Sequence, residues 1–124
     1  MEIIAFASED LDNLLNLEPL RALYLPFGAM LIDRSGIILQ YNKAAALPGS
    51  RTPDDFIGRD LFNEVARCTL NTVFHREFLR FHRTGQCNTL FSYDFDLDGK
   101  TVNAKIHLKS QTDNQTCWVF IKLT

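Results

Sequence analysis

From Asn88 onward, apolar and polar positions alternate with the two-residue period of strands. Thr89, Phe91, Tyr93, Phe95 and Leu97 alternate with Asn88, Leu90, Ser92, Asp94 and Asp96. Asp98-Gly99 is a hairpin turn signal. Val102, Ala104, Ile106 and Leu108 then alternate with Asn103, Lys105, His107 and Lys109, and a polar turn follows at Gln111 to Gln115. The next run places Trp118 and Phe120 on one face and Cys117, Val119 and Ile121 on the other. A strand apolar on both faces must be covered on both sides. Two further β-rich runs, Gly28 to Asp33 and Ile37 to Asn42, flank Arg34-Ser35-Gly36 and read as a hairpin with glycine in its turn.

The helical period appears between the two groups of strands. Phe74, Phe78, Leu79 and Phe81 form a stripe on a helix capped by Asn71 or Thr72 and stopped by Gly85, with His75, Arg76, Arg80 and His82 largely elsewhere. Before it come three short turns. Lys43 to Leu47 is broken by the Pro48-to-Pro53 stretch. Pro53 to Gly58 has Thr52 as N-cap, proline in the first helical position and glycine as stop. Leu61 to Arg67 ends at Cys68. At the N-terminal side, Ser8 caps a segment with Leu11, Leu14 and Leu15 on one face. Pro19 interrupts it, and Leu20 to Leu25 forms another short turn. The helices are expected to cover one face of the sheet, and the N-terminal leucines with Phe6 the other. The chain therefore reads as one domain, residues 1–25 a cap and 26–124 a core: an α+β sandwich of five antiparallel strands with helices inserted after the second. This is the PAS architecture, and fold analogy alone assigns no function.

Composition narrows the classes. With 124 residues, 46% apolar and 23% charged, the chain is ordinary for one folded domain. Its net charge of −2, with Lys and Arg scattered, argues against a nucleic-acid partner. No apolar run approaches membrane length. Three cysteines without a CxxC pair fit neither a disulfide framework nor a zinc site, and place the chain in a reducing cytoplasm. The ten phenylalanines wall a pocket or fill a core. His75 and His82 lie too far apart in sequence to pair readily on a metal. All three histidines, with His107, are read as facing solvent, which leaves no axial ligand for haem. The thiol in a reachable place is Cys68, where Phe62 to Arg67 meets the polar break at Thr69 to Thr72. Cys87 and Cys117 fall on predicted strands and read as packing. A cysteine enzyme or redox switch lacks a base in reach of Cys68 and a resolving cysteine at motif spacing.

A series of strings sharpens the picture: Ala5-Phe6 with Ser8-Glu9-Asp10, Phe27-Gly28-Ala29, Ile38 to Asn42, Ile57-Gly58, Val65-Ala66 with Cys68-Thr69, Asn88-Thr89 with Phe91, and Trp118-Val119-Phe120. In this order and spacing the chain resembles the photoactive yellow protein family over essentially its full length. That resemblance implies a blue-light receptor, not an enzyme, carrying p-coumaric acid (4-hydroxycinnamic acid) as a covalent thioester on Cys68. By position, Tyr41 would donate to the phenolate oxygen and Arg51 would close the pocket. Thr69 and Phe95 would stand at pocket-side positions. Light would drive trans-to-cis isomerisation, the phenolate would take up a proton, and the N-terminal cap would loosen. The signal would pass to a separate protein partner, from a monomer or weak dimer.

The departures lie in the polar cradle. Ala45 stands where the family has a glutamic acid that is the second donor, Gly49 where it has a threonine, and Arg67 where it has proline. Leu97 and Gly99 replace aromatic or methionine residues on the sheet. Losing a charge-assisted hydrogen bond of about 1.5–3 kcal/mol raises a phenolate's pKa by about one to two units. A bound chromophore is therefore expected to show a neutral, near-ultraviolet form near neutral pH and an anionic form absorbing further to the red. The alternative is a module of the same fold that has lost the photocycle and acts through partner contacts or another small ligand.

Overall fold

The computed structural model describes residues 27–42, 56–65, 72–97 and 99–123, with the backbone alone for residues 65 and 95–97. The expected cap over residues 1–25, the turn over Lys43 to Leu47, the start of the turn over Pro53 to Gly58 and the end of the one over Leu61 to Arg67 lie outside the described residues. The elements are β1 (Gly28–Asp33), β2 (Ile38–Tyr41), a single π-helical turn (Leu61–Val65), α1 (Val73–Thr84), β3 (Asn88–Leu97), β4 (Lys100–Ser110) and β5 (Thr116–Leu123). The strands form one five-stranded antiparallel sheet in the order β2-β1-β5-β4-β3.

Local chemistry explains each joint. In the β1–β2 turn, Asp33 Oδ1 accepts from the N–H groups of Ser35 at 2.9 Å and Ile37 at 3.0 Å. Gly36 follows with φ +87°, and a Cβ there would stand 3.2 Å from the ring of Phe78. Glycine therefore serves both the left-handed backbone and the close approach of α1. The pairs Leu31↔Gln40 and Ile32↔Ile38 leave Leu39 as an extra residue, a bulge on the edge strand. Leu97↔Lys100 is the last pair of the β3–β4 hairpin, and Gly99 stands beside it at φ +80°, where the sequence expects a turn.

The edge of β2 is sealed by the segment that follows. Ile38 donates its N–H to the carbonyl of Arg59 (2.9 Å), Gly58 donates to Ile38 (2.7 Å), and Leu61 donates to Gly36 (2.9 Å). These bonds occupy ladder positions that would otherwise offer an open template. Asp60 then starts the π turn. Its Oδ1 accepts from the N–H groups of Phe62 at 3.0 Å and Asn63 at 3.1 Å, as an N-cap does.

α1 runs from Thr72 to a left-handed Gly85, as expected. It buries Phe74, Phe78 and Phe81 on the sheet. Leu79, expected in that stripe, is 38% exposed. Positions 74, 78 and 81 already complete a stripe at i, i+4 and i+7, and residue 79 lies about 100° from its neighbour around the helix. The last turn is tied back to the hairpin. Arg34 Nη2 donates to the carbonyl of His82 at 2.8 Å, and His82 Nδ1 donates to the carbonyl of Arg34 at 2.6 Å. The guanidinium thus satisfies a terminal helix carbonyl where the dipole favours positive charge.

The core on the helix side joins Met30, Ile32, Ile38, Tyr41, Leu61, Phe62, the three α1 phenylalanines, Ile106, Leu108, Val119 and Ile121. The other face of the sheet buries Phe27, Ala29, Trp118 and Phe120. His107 belongs there too. It is 6% exposed, paired in register with Phe120, with Nε2 2.8 Å from Asn88 Oδ1. The expectation that it faces solvent is corrected. Alternation along β4 assigns a face, and the neighbouring strand β5 makes that face apolar at its centre. His75 is half-buried against Phe62, at 5.2 Å between ring centroids, while His82 is exposed as read.

Candidate functional site

Tyr41 ends β2, opposite Met30 of β1. Its side chain is buried in the apolar cluster, and its ring stacks on Phe56 with centroids 4.6 Å apart and planes 22° apart. Phe56 belongs to the turn stitched to Ile38, so one strand locates both rings. Burial removes water from the phenol and pushes its ionisation up to about 12. The hydroxyl therefore stays protonated through the physiological range and is a fixed donor. A donor among apolar side chains is suited to an anionic oxygen, because charge-assisted hydrogen bonds are the strong ones and no water competes.

The residue after Tyr41 anchors it. Asn42 is buried, and its Oδ1 accepts from the N–H of Ala29 at 2.9 Å. Its Nδ2 donates to the carbonyl of Phe27 at 2.9 Å, and its own N–H donates to the carbonyl of Ala29 at 3.0 Å. The backbone on the C-terminal side of Tyr41 is thereby fixed to β1. The sequence places Asn42 at the end of a β-rich run and within a matching string, and assigns it no role. Phe56 was read as part of a helical turn, and Asp60 was not singled out. A polar residue closing an otherwise apolar strand end was the available signal for Asn42. For Phe56 the sequence held none, because a ring stack across fifteen positions leaves no periodic trace.

Of the sequence-predicted site residues, the structure places Tyr41 with its side chain and Phe95 by its backbone. Phe95 pairs with Val102, two positions beyond Tyr93 on β3. Cys68, Thr69, Arg51 and Ala45 lie outside the described residues. The other two cysteines are buried thiols. Burial is the largest influence raising the ionisation of both, with Cys117 held higher than Cys87. Neither is poised as a thiolate nucleophile. Among the described residues no group of three His, Cys, Asp or Glu side chains gathers to hold a metal, and no helix is long and apolar enough to cross a membrane.

Comparison with known proteins places this geometry. The chain matches the PAS fold over residues 9–122. It is 57% identical over 122 residues to the photoactive yellow protein of Cereibacter sphaeroides, covering 98% of both chains. It is 55% identical to the one from Rhodobacter capsulatus, again over 98% of both. Among solved structures it is similar to the photoactive yellow protein domain of the sensor histidine kinase Ppr from Rhodospirillum centenum. There the TM-score is 0.75 at 30% identity, covering 82% of this chain and 95% of that one. The PAS domain of Bordetella pertussis BvgS shares the fold, with a TM-score of 0.56 at 20% identity over 93% of this chain and 86% of that one. With a five-stranded antiparallel sheet, a helix between β2 and β3, and near-complete coverage by these relatives, the chain belongs to the photoactive yellow protein family of PAS-fold proteins.

Proposed function

We propose that the protein is a cytoplasmic blue-light photoreceptor that carries p-coumaric acid as a thioester on Cys68. The observation that supports this reading is Tyr41, a buried phenol whose ionisation burial raises further, in a chain 57% identical to a photoactive yellow protein. When bound, the chromophore supplies light absorption and trans-to-cis isomerisation about its double bond. The chain's own residues do the rest. Cys68 holds the acyl group. Tyr41 donates to the phenolate oxygen and lowers the cost of keeping that charge away from water. Arg51 stands at the pocket mouth, and Thr69 and Phe95 line it. Ala45 offers no second donor, so the charge rests mainly on Tyr41. Weakening the Tyr41 contact after illumination raises the phenolate's proton affinity, and the proton taken up there is coupled to loosening of residues 1–25. The exposed cap then signals to a separate protein partner, from a monomer or weak dimer. Neither nucleic acid nor a membrane is part of this scheme.

The test is direct. Purified protein is incubated with thiol-reactive activated p-coumaric acid, and its absorption is recorded beside Cys68→Ala. A visible band that requires the cysteine and bleaches reversibly under blue light is the expected result. Because Ala45 removes one charge-assisted donor, the bound phenol should titrate about one to two units above that of glutamate-bearing relatives. An absent adduct, or one that light leaves unchanged, replaces this reading with a PAS interaction module.

A further inference from the structure

The rings of Phe62, Phe74, Phe78 and Phe81 meet one another edge-on or tilted within the core. Phe56 is different. It is half-buried at the margin of that core and lies nearly parallel to Tyr41, whose ring carries a polar atom. Its place is set by backbone bonds to the strand that bears Tyr41. Gly58 donates to Ile38 at 2.7 Å, Ile38 donates to Arg59 at 2.9 Å, and Arg59 donates to Phe56 at 3.1 Å. Asn42 fixes the backbone beside Tyr41, which leaves the two side-chain torsions of the tyrosine to be determined. A flat ring at stacking distance restricts both, since sliding or tilting the phenol loses the offset contact.

We infer that Phe56 is a positioning residue for Tyr41: its ring sets where Tyr41 presents its hydroxyl, and so how strongly that hydroxyl donates to a bound phenolate. The inference rests on the photoreceptor reading for its ligand and adds to it a residue outside the pocket positions carried over from the family. Ala45 carries no polar group, so that position cannot offset an error in the placement of Tyr41.

The variants are Phe56→Leu, which loses the flat ring, and Phe56→Tyr, which keeps it, each alone and combined with Tyr41→Phe. Without chromophore, NMR should show the Tyr41 ring protons shifted upfield by the Phe56 ring. Phe56→Leu should abolish that shift and Phe56→Tyr should keep it. With chromophore attached, Phe56→Leu should raise the pH midpoint of phenolate protonation by about half a unit to one unit, the scale of one weakened hydrogen bond. It should have no further effect in the Tyr41→Phe background, and Phe56→Tyr should match the wild type. An equal rise with and without the Tyr41 hydroxyl, or no rise at all, overturns the inference. If the wild type takes up no chromophore, the photoreceptor reading fails by itself. The NMR comparison still decides, because an unshifted Tyr41 ring in the wild-type protein removes the stack on which the inference stands.

Discussion

Two groups of aromatic rings share one face of the sheet and are held by different means. The phenylalanines of α1 and the π turn are almost fully buried and linked ring to ring. Phe62 alone meets Phe74 at 5.3 Å and Phe78 at 4.6 Å. Their arrangement follows from filling space, where edge-on and tilted contacts interlock. Tyr41 and Phe56 form one stacked pair at the end of β2, placed by backbone bonds and by the side-chain amide of Asn42. The first group resists change because it is dense. The second is defined by direction: two rings lie nearly parallel where bonds of fixed geometry put them. Density serves stability and directed bonds serve recognition, and this molecule keeps the two in adjoining places.

Mutations should separate the groups. The largest effect is expected for Phe74→Ala, which empties a fully enclosed position and should cost about 3–5 kcal/mol by urea unfolding. Were Phe56→Ala equally costly, the pair would be core like the rest. Next comes Asn42→Ala, which leaves the N–H of Ala29 and the carbonyl of Phe27 without that side chain and should cost about 2–3 kcal/mol. A cost near zero would mean that the amide does not anchor the strand end. The smallest concerns pH. Tyr41 ionises near 10 in the unfolded chain and near 12 in the folded one, so the native state retains a proton that the unfolded state loses. Its contribution is complete below the unfolded value and declines as pH rises from 10 towards 12. Wild type should therefore lose about 1–2 kcal/mol more than Tyr41→Phe between pH 9 and 11. Parallel pH profiles for the two proteins would place the hydroxyl in water.

The strand alternation, the Asp98-Gly99 turn and the limits of α1 were legible because each rests on local chemistry: a two-residue period, a turn dipeptide, a cap and a stop. Three features were not. The burial of His107 depends on what the neighbouring strand presents, and a period along one strand is silent about that. The exposure of Leu79 follows from the width of the contact that α1 makes, which three phenylalanines already fill. The Phe56 stack depends on a segment folding back along an edge strand, a pairing that spacing cannot encode. At the candidate site the resemblance named Tyr41, and the structure supplied its neighbours.

The sealed edge of β2 has a consequence for how this family can diversify. Residues 43–55 leave from Asn42, fastened to Ala29 and Phe27, and return at Phe56 to Gly58, fastened to Tyr41 and Ile38. Both ends are moored to the sheet by these contacts. Lengthening such an interval adds little closure entropy, about 0.6 kcal/mol for each doubling. Changes of length in that interval therefore need not disturb the register of the sheet. The frame built by β1 and β2 can stay unchanged while that interval varies.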